Sequence, residues 1–307
     1  MNLALFLFLA AGTVPGPAVG VAHGTADSLP RISWSPEEPA QGTLFLVQVQ
    51  TPPGSRPLKL EGTAGREALH FREVEPGRYA SLAAVPVDVR GGLPVRVTAT
   101  LADGARSVVE ADVPVGAGDF SFEELKVAPR FGAPPDSAMQ ARLARDRARA
   151  ARVSRRAHAT PPLWTDAVVR PRPGPVTSGF GNGRTFNGRI SSRHMGLDLR
   201  GAPGDTVVAA ARGVVEMADA FVLAGNVVYI NHGGGLLSGY FHLSEQLVAE
   251  GDTVEAGTPV GLVGATGRVT GPHLHWVVRY GRTSVDPRSL LKVAGGQGEA
   301  EAGVKIR

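Results

Sequence analysis

Between about residues 25 and 115, short apolar runs alternate with turn residues. They are 42–50 (GTLFLVQVQ), 56–62 (RPLKLEG), 79–89 (YASLAAVPVDV), 93–104 (LPVRVTATLADG) and 106–115 (RSVVEADVPV). In the fourth run Val95, Val97, Ala99 and Leu101 alternate with Arg96, Thr98 and Thr100, the period-two pattern of a half-buried strand. Strands at near-regular spacing predict a small antiparallel β-sandwich of immunoglobulin-like type over 23–116. No cluster of His, Asp and Glu stands in this segment, and no nucleophile beside a base. A spacer or binding module is expected there.

The pattern changes over 117–160. FSFEELKVAPRFGAPP (120–135) reads as extended chain with proline stops, and 136–158 is dominated by Ala and Arg, both strong helix formers, with Asp136 or Ser137 as N-cap. Seven arginines oppose one interior acid, Asp146, and only Met139, Leu143 and Val153 are large and apolar. So narrow a stripe predicts a solvated connecting helix, packed lightly through its small residues. Its arginines also suit an anionic surface such as phosphate-bearing polymer or lipid headgroups.

Over 161–293 the alternation of strands and glycine turns returns, in TVVAAARGVVEMA, NVVYINHGGG, LLSGYFHLS and the strand–turn–strand text GDTVEAGTPVGLVG (251–264). The whole chain is expected to be mainly β: a sandwich, an Arg-rich connecting helix, and a C-terminal all-β domain of duplicated hairpins, barrel-like in form. A low-complexity tail, 294–307, follows.

Composition narrows the chemistry. Cysteine is absent, which removes disulfides and thiolate metal sites and leaves His and carboxylate as ligands. The net charge of +4 is local: 117–170 holds 10 basic and 6 acidic residues, whereas 23–116 holds 9 and 11. A basic face for nucleic acid is therefore not expected. The first residues, MNLALFLFLAAG, have the length of an export signal, with a cleavage site expected after GVA (20–22).

Five of the eight histidines follow residue 190. GPHLHW (271–276) puts His273 and His275 two apart on a strand, hence on one face. HMGLD puts His194 and Asp198 four apart, again sharing a face if extended, with Gly196 leaving room between them. His242 lies in YFHLS among bulky neighbours, and His232 precedes three glycines and is expected in a turn. A catalytic zinc takes three protein ligands and leaves one position open. Spare imidazoles would then serve proton transfer. Spacing alone leaves open which histidine does which.

HMGLD, YFHLS, GDTVEAGTPVGLVGATGRVTGPHLHW and VDP, in this order, resemble the lysostaphin-type (LytM-like) zinc metallopeptidases, and SGFGNGR resembles that family's opening segment. The resemblance spans about 172–291. It implies Zn2+ held by His194, Asp198 and His275, with His242 and His273 as catalytic residues, and cleavage of peptide cross-links or stems of bacterial peptidoglycan. The alternative it implies is a catalytically silent member that activates another cell-wall hydrolase. Export to the periplasm or cell envelope is expected with it, as are envelope protein partners for the β-sandwich. Lipoyl and biotinyl carriers share the strand–turn–strand text but need a lysine at a hairpin tip. The lysines here are Lys59, Lys126, Lys292 and Lys305, none of them inside 127–291.

Overall fold

Alternation of apolar and polar side chains builds the N-terminal unit. In Gly91–Thr100 the buried residues are Leu93, Val95, Val97 and Ala99, while Pro94 and Arg96 face solvent. The computed structural model of the chain describes residues 20–22, 30–102, 104–131, 134–164 and 168–294. Residues 1–19 of the expected leader (1–22) and the tail beyond 294 lie outside them, while Gly20–Ala22 is described as a strand. A five-stranded sheet runs Gly20–Ala22, Arg31–Ser35, Leu44–Gln50, Arg78–Ala84, Arg72–Glu75, and a four-stranded one runs Glu67–Leu69, Lys59–Ala64, Gly91–Thr100, Arg106–Val115. Ile32, Trp34, Phe45 and Val47 from the first meet Val95, Val97, Val109 and Val113 from the second in one buried core, so the unit is a β-sandwich.

The Arg-rich segment forms α1 (Ser137–Ala159), capped by Asp136, whose carboxylate accepts the Met139 N–H at 2.7 Å. Its packing is firmer than composition suggests. Val153 and Ala157 are buried with Met217, Val227, Tyr229 and Leu237, and burying one such valine contributes roughly 1.5–3 kcal/mol. Arg149 pairs with Asp219, Arg156 reaches Glu216 at 2.7 Å, and Asp146 accepts the Val222 N–H at 2.8 Å. At the far end, His158 Nε2 lies 3.0 Å from Glu67 Oε2 and its Nδ1 2.8 Å from His70 Nε2. Glu67 Oε1 in turn accepts the Arg282 N–H and the Thr283 hydroxyl. One carboxylate of the sandwich therefore ties helix and C-terminal sheet together.

The C-terminal sheet is antiparallel, in the order Val176–Ser178, Leu197–Arg200, His273–Tyr280, Leu236–Gln246, Gly225–Gly233, Gly213–Phe221, Thr253–Val254. Leu236–Gln246 also pairs with Pro259–Val263, which bends the sheet back over Leu197, Tyr240, Leu243 and Trp276. Leu44, Leu82 and Ala84 of the sandwich belong to the same buried cluster, so the two units share a continuous core. A short helix that the pattern did not predict, α2 (Pro287–Ala294), closes this junction. Asp286 caps it by accepting the Arg288 N–H at 2.9 Å, Pro287 opens it, and Ser289 accepts the Leu44 N–H at 3.0 Å. Its signal, Asp-Pro followed by Leu-Leu, was present in the VDP text and too short to read as periodic.

Two other local expectations change. The segment before α1 is extended, but Phe122–Leu125 is a strand paired in parallel with Gly183–Phe186 of the C-terminal unit. His232 is a fully buried strand residue, since the apolar run carries the strand on to Gly233. Both its nitrogens are satisfied, Nδ1–H donating to the Arg212 carbonyl at 2.8 Å and Nε2 lying 2.8 Å from Ser238 Oγ. No helix of the described residues is long and apolar enough to cross a membrane.

Candidate metal centre

Strand register assembles the site. Asp198 is directly opposite His275 in the antiparallel pair Leu197–Arg200 with His273–Tyr280, and Phe241 is opposite His275 on its other side. Directly opposed residues share a face with Cβ atoms about 5 Å apart. Leu274 and Trp276, on the reverse face, are fully buried and anchor the strand. His194 arrives just before Leu197–Arg200, held where its N–H donates to the Asn182 carbonyl at 2.8 Å.

Three donor atoms converge. His194 Nε2 lies 3.0 Å from Asp198 Oδ1 and 2.9 Å from His275 Nδ1, and His275 Nδ1 lies 2.7 Å from Asp198 Oδ1. His194 and Asp198 are only 2 % and 6 % exposed. His194 Nδ1 donates to the Gly179 carbonyl at 2.7 Å, which turns Nε2 toward Asp198 and His275. Burial alone would raise the Asp198 carboxyl, but hydrogen bonds with His194 and His275 outweigh it and hold the group well below the usual carboxylate value. Burial pushes the His275 imidazole down to about 4 despite its bond to Asp198. An ionised carboxylate at Asp198 and a neutral imidazole at His275 are protonation states a divalent cation requires of its ligands. The donor set, two imidazole nitrogens and one carboxylate oxygen, suits zinc.

His242 and His273 face the same space without joining the three-donor cluster. Each spends Nδ1–H on a backbone carbonyl, Thr266 for His242 and Gly271 for His273, both at 2.8 Å, which leaves Nε2 as an acceptor. Their ring centroids are 5.0 Å apart, and His273 Nε2 is 3.6 Å from Asp198 Oδ1. Burial, with His275 and His273 nearby, pushes His242 down to about 3. Its backbone is left-handed, with φ at 62°, a conformation costly for a residue with a side chain and concentrated at functional sites. All five line one open cleft of about 630 Å³.

A second ring of contacts escaped the sequence reading. Asp198 Oδ2 accepts from Arg184 Nη2 at 2.7 Å, leaving Oδ1 for the centre. Arg184 is oriented by Glu123, whose Oε2 accepts from its Nε at 2.8 Å, while Glu123 Oε1 takes Asn182 Nδ2 at 2.8 Å and the Ser178 hydroxyl. Arg184 stands in the SGFGNGR text, so a signal existed. Glu123 had none, being 61 positions from Arg184 in a segment that looks like linker.

Residues 192–287 match the description of peptidase family M23. Over 117 residues the chain is 38% identical to the peptidoglycan DD-endopeptidase ShyC of Vibrio cholerae serotype O1, a span covering 38% of this chain and 27% of that protein. It is 46% identical over 83 residues to ShyA, a peptidoglycan DD-endopeptidase of the same organism, covering 27% and 19%. The chain thus spans about a quarter or less of the length of these relatives. A crystal structure from Pseudomonas aeruginosa that carries the M23 designation superposes with a TM-score of 0.64 at 25% identity, over 84% of this chain and 96% of the other. On family match, fold and site together, the C-terminal β-domain of this chain is a peptidase family M23 domain of the lysostaphin type.

Proposed function

We propose that the chain is a zinc-dependent endopeptidase that hydrolyses peptide bonds in the stems or cross-links of bacterial peptidoglycan, working in the periplasm or cell envelope. The observation that carries the reading is the convergence of His194 Nε2, Asp198 Oδ1 and His275 Nδ1 within 3.0 Å of one another, with two further imidazoles presenting free Nε2 atoms beside them. The DD-endopeptidase names of the Vibrio relatives supply the substrate class.

His194, Asp198 and His275 would hold the ion, which when bound supplies Lewis acidity for the scissile carbonyl and brings the pKa of water toward about 7. Arg184 fixes the second carboxylate oxygen, so that Asp198 does not rotate away from the centre. His242 and His273 divide proton transfer from the attacking water, delivery to the leaving amine, and support of the developing oxyanion.

The test is digestion of purified cell wall by the full chain, with products identified by mass spectrometry. Chelator-sensitive cleavage of a peptide bond, restored by zinc, is the expected result. A zinc-loaded protein that cuts no peptide bond overturns the proposal and favours the silent-activator alternative.

A further inference from the structure

Beside the metal centre a second groove, of about 260 Å³, runs between α1 and the strand His273–Tyr280. Met195, Phe241 and His275 line both this groove and the catalytic cleft, so the two meet at a metal-centre histidine. Its floor is apolar and aromatic. Tyr229 and Phe241 make an edge contact with centroids 5.3 Å apart, and Val277 lies beside them.

Among the described residues that line it, the groove has two cations and no anion. Arg279 is half-buried and donates from Nη1 to Ser154 Oγ at 2.9 Å and from Nε to Ser284 Oγ at 3.2 Å. A guanidinium has five N–H donors, so three are left without a partner among the described residues. Arg147 lines the same groove from α1 and has no ion pair or hydrogen bond among those residues. The helix pairs other arginines readily, Arg149 with Asp219 and Arg156 with Glu216. Hydroxyls orient the Arg279 fork without neutralising it, and a planar fork suits a carboxylate.

We infer that this groove is a subsite for a carboxylate of the bound peptide, gripped by Arg279 and Arg147, with the peptide's apolar portion on Tyr229 and Phe241. The inference rests on the peptidase reading above for the identity of its ligand. A stem peptide with an acidic residue, lying across the metal centre, can place its carboxylate here. Because Arg147 lies on α1, outside residues 192–287, the specificity belongs to this chain and not to the family domain alone.

Two cross-linked stem-peptide dimers serve as probes, one with free side carboxylates and one with the same carboxylates amidated. Their affinity for the full, metal-free chain is measured by titration calorimetry, and their kcat/KM with zinc supplied. The wild type is expected to bind the carboxylate form about tenfold more tightly, a difference of ~1.4 kcal/mol. Arg147→Gln, which breaks no side-chain hydrogen bond or ion pair among the described residues, should cut that preference at least threefold, and Arg147→Gln with Arg279→Gln should abolish it. Unfolding midpoints of both variants in urea are the control for folding. Equal binding of the two forms by the wild type, no binding of either, or a preference that survives the double substitution overturns the subsite. Selective binding without cleavage of either form sinks the peptidase reading and leaves the subsite standing. Cleavage of both forms at one rate with equal affinity sinks only the subsite.

Discussion

Gly196 backs directly onto His275: a Cβ built on it would lie 2.6 Å from His275 Cε1 and 2.8 Å from the Trp276 carbonyl oxygen. The second contact is backbone, so the strand itself would have to move. Gly196→Ala should lower zinc affinity at least tenfold in a chelator competition and cost about 1–3 kcal/mol in urea unfolding. Unchanged zinc affinity would show that the His275 ring has room the geometry denies it.

The two histidines of GPHLHW should separate experimentally. His275→Ala is expected to lose zinc, measured as metal per chain after dialysis, because it removes one of three donors. His273→Ala should retain zinc and lower kcat by roughly a hundredfold or more, the scale of one acid–base group. Loss of metal in both variants would make His273 a ligand.

His242 carries a different signature, because its φ of 62° is expensive for a branched side chain and tolerable for asparagine. Both His242→Asn and His242→Val should lose turnover, but the valine variant should be less stable by about 1–2 kcal/mol. Equal melting temperatures would mean the backbone relaxes when the imidazole is gone.

Acid should weaken the fold through His232, far from the metal. Burial lowers this group to about 4, against an unfolded value of about 6.5. Above pH ~6.5 both states are neutral and the residue contributes no pH dependence. As pH falls from there to about 4, the unfolded chain takes up a proton that the fold refuses, so stability drops, by on the order of 3 kcal/mol in total. Urea midpoints at pH 7 and pH 4.5 should differ less in His232→Gln than in the wild type, even though the variant starts lower. An identical pH dependence would acquit His232.

Legibility varied with range along the chain. The alternation in Gly91–Thr100 and the shared face of His273 and His275 were readable because a strand's period is local. The N-cap at Asp136 and the start of α1 were local too. What placed Asp198 against His275 was the register between strands 77 positions apart, set by tertiary packing and invisible to spacing. Resemblance to a known family supplied the ligand assignment, and it could not supply Glu123 or the α1 wall of the groove (Arg147, Ala150 and Ala151), which lie outside residues 192–287. The helix looked solvated because its arginines dominate the text. Its contact is made by Val153 with the small residues Ser154 and Ala157, a patch that leaves little hydrophobic trace.

The parallel pairing of Phe122–Leu125 with Gly183–Phe186 redraws the smallest working unit. Anyone excising the peptidase at the family's own edge, residue 192, would discard Arg184 and Glu123 together and leave Asp198 with one oxygen unmoored. A fragment beginning near residue 119 would keep both, along with α1. The segment that reads as a tether between two modules is, by its contacts, the first strand of the second one.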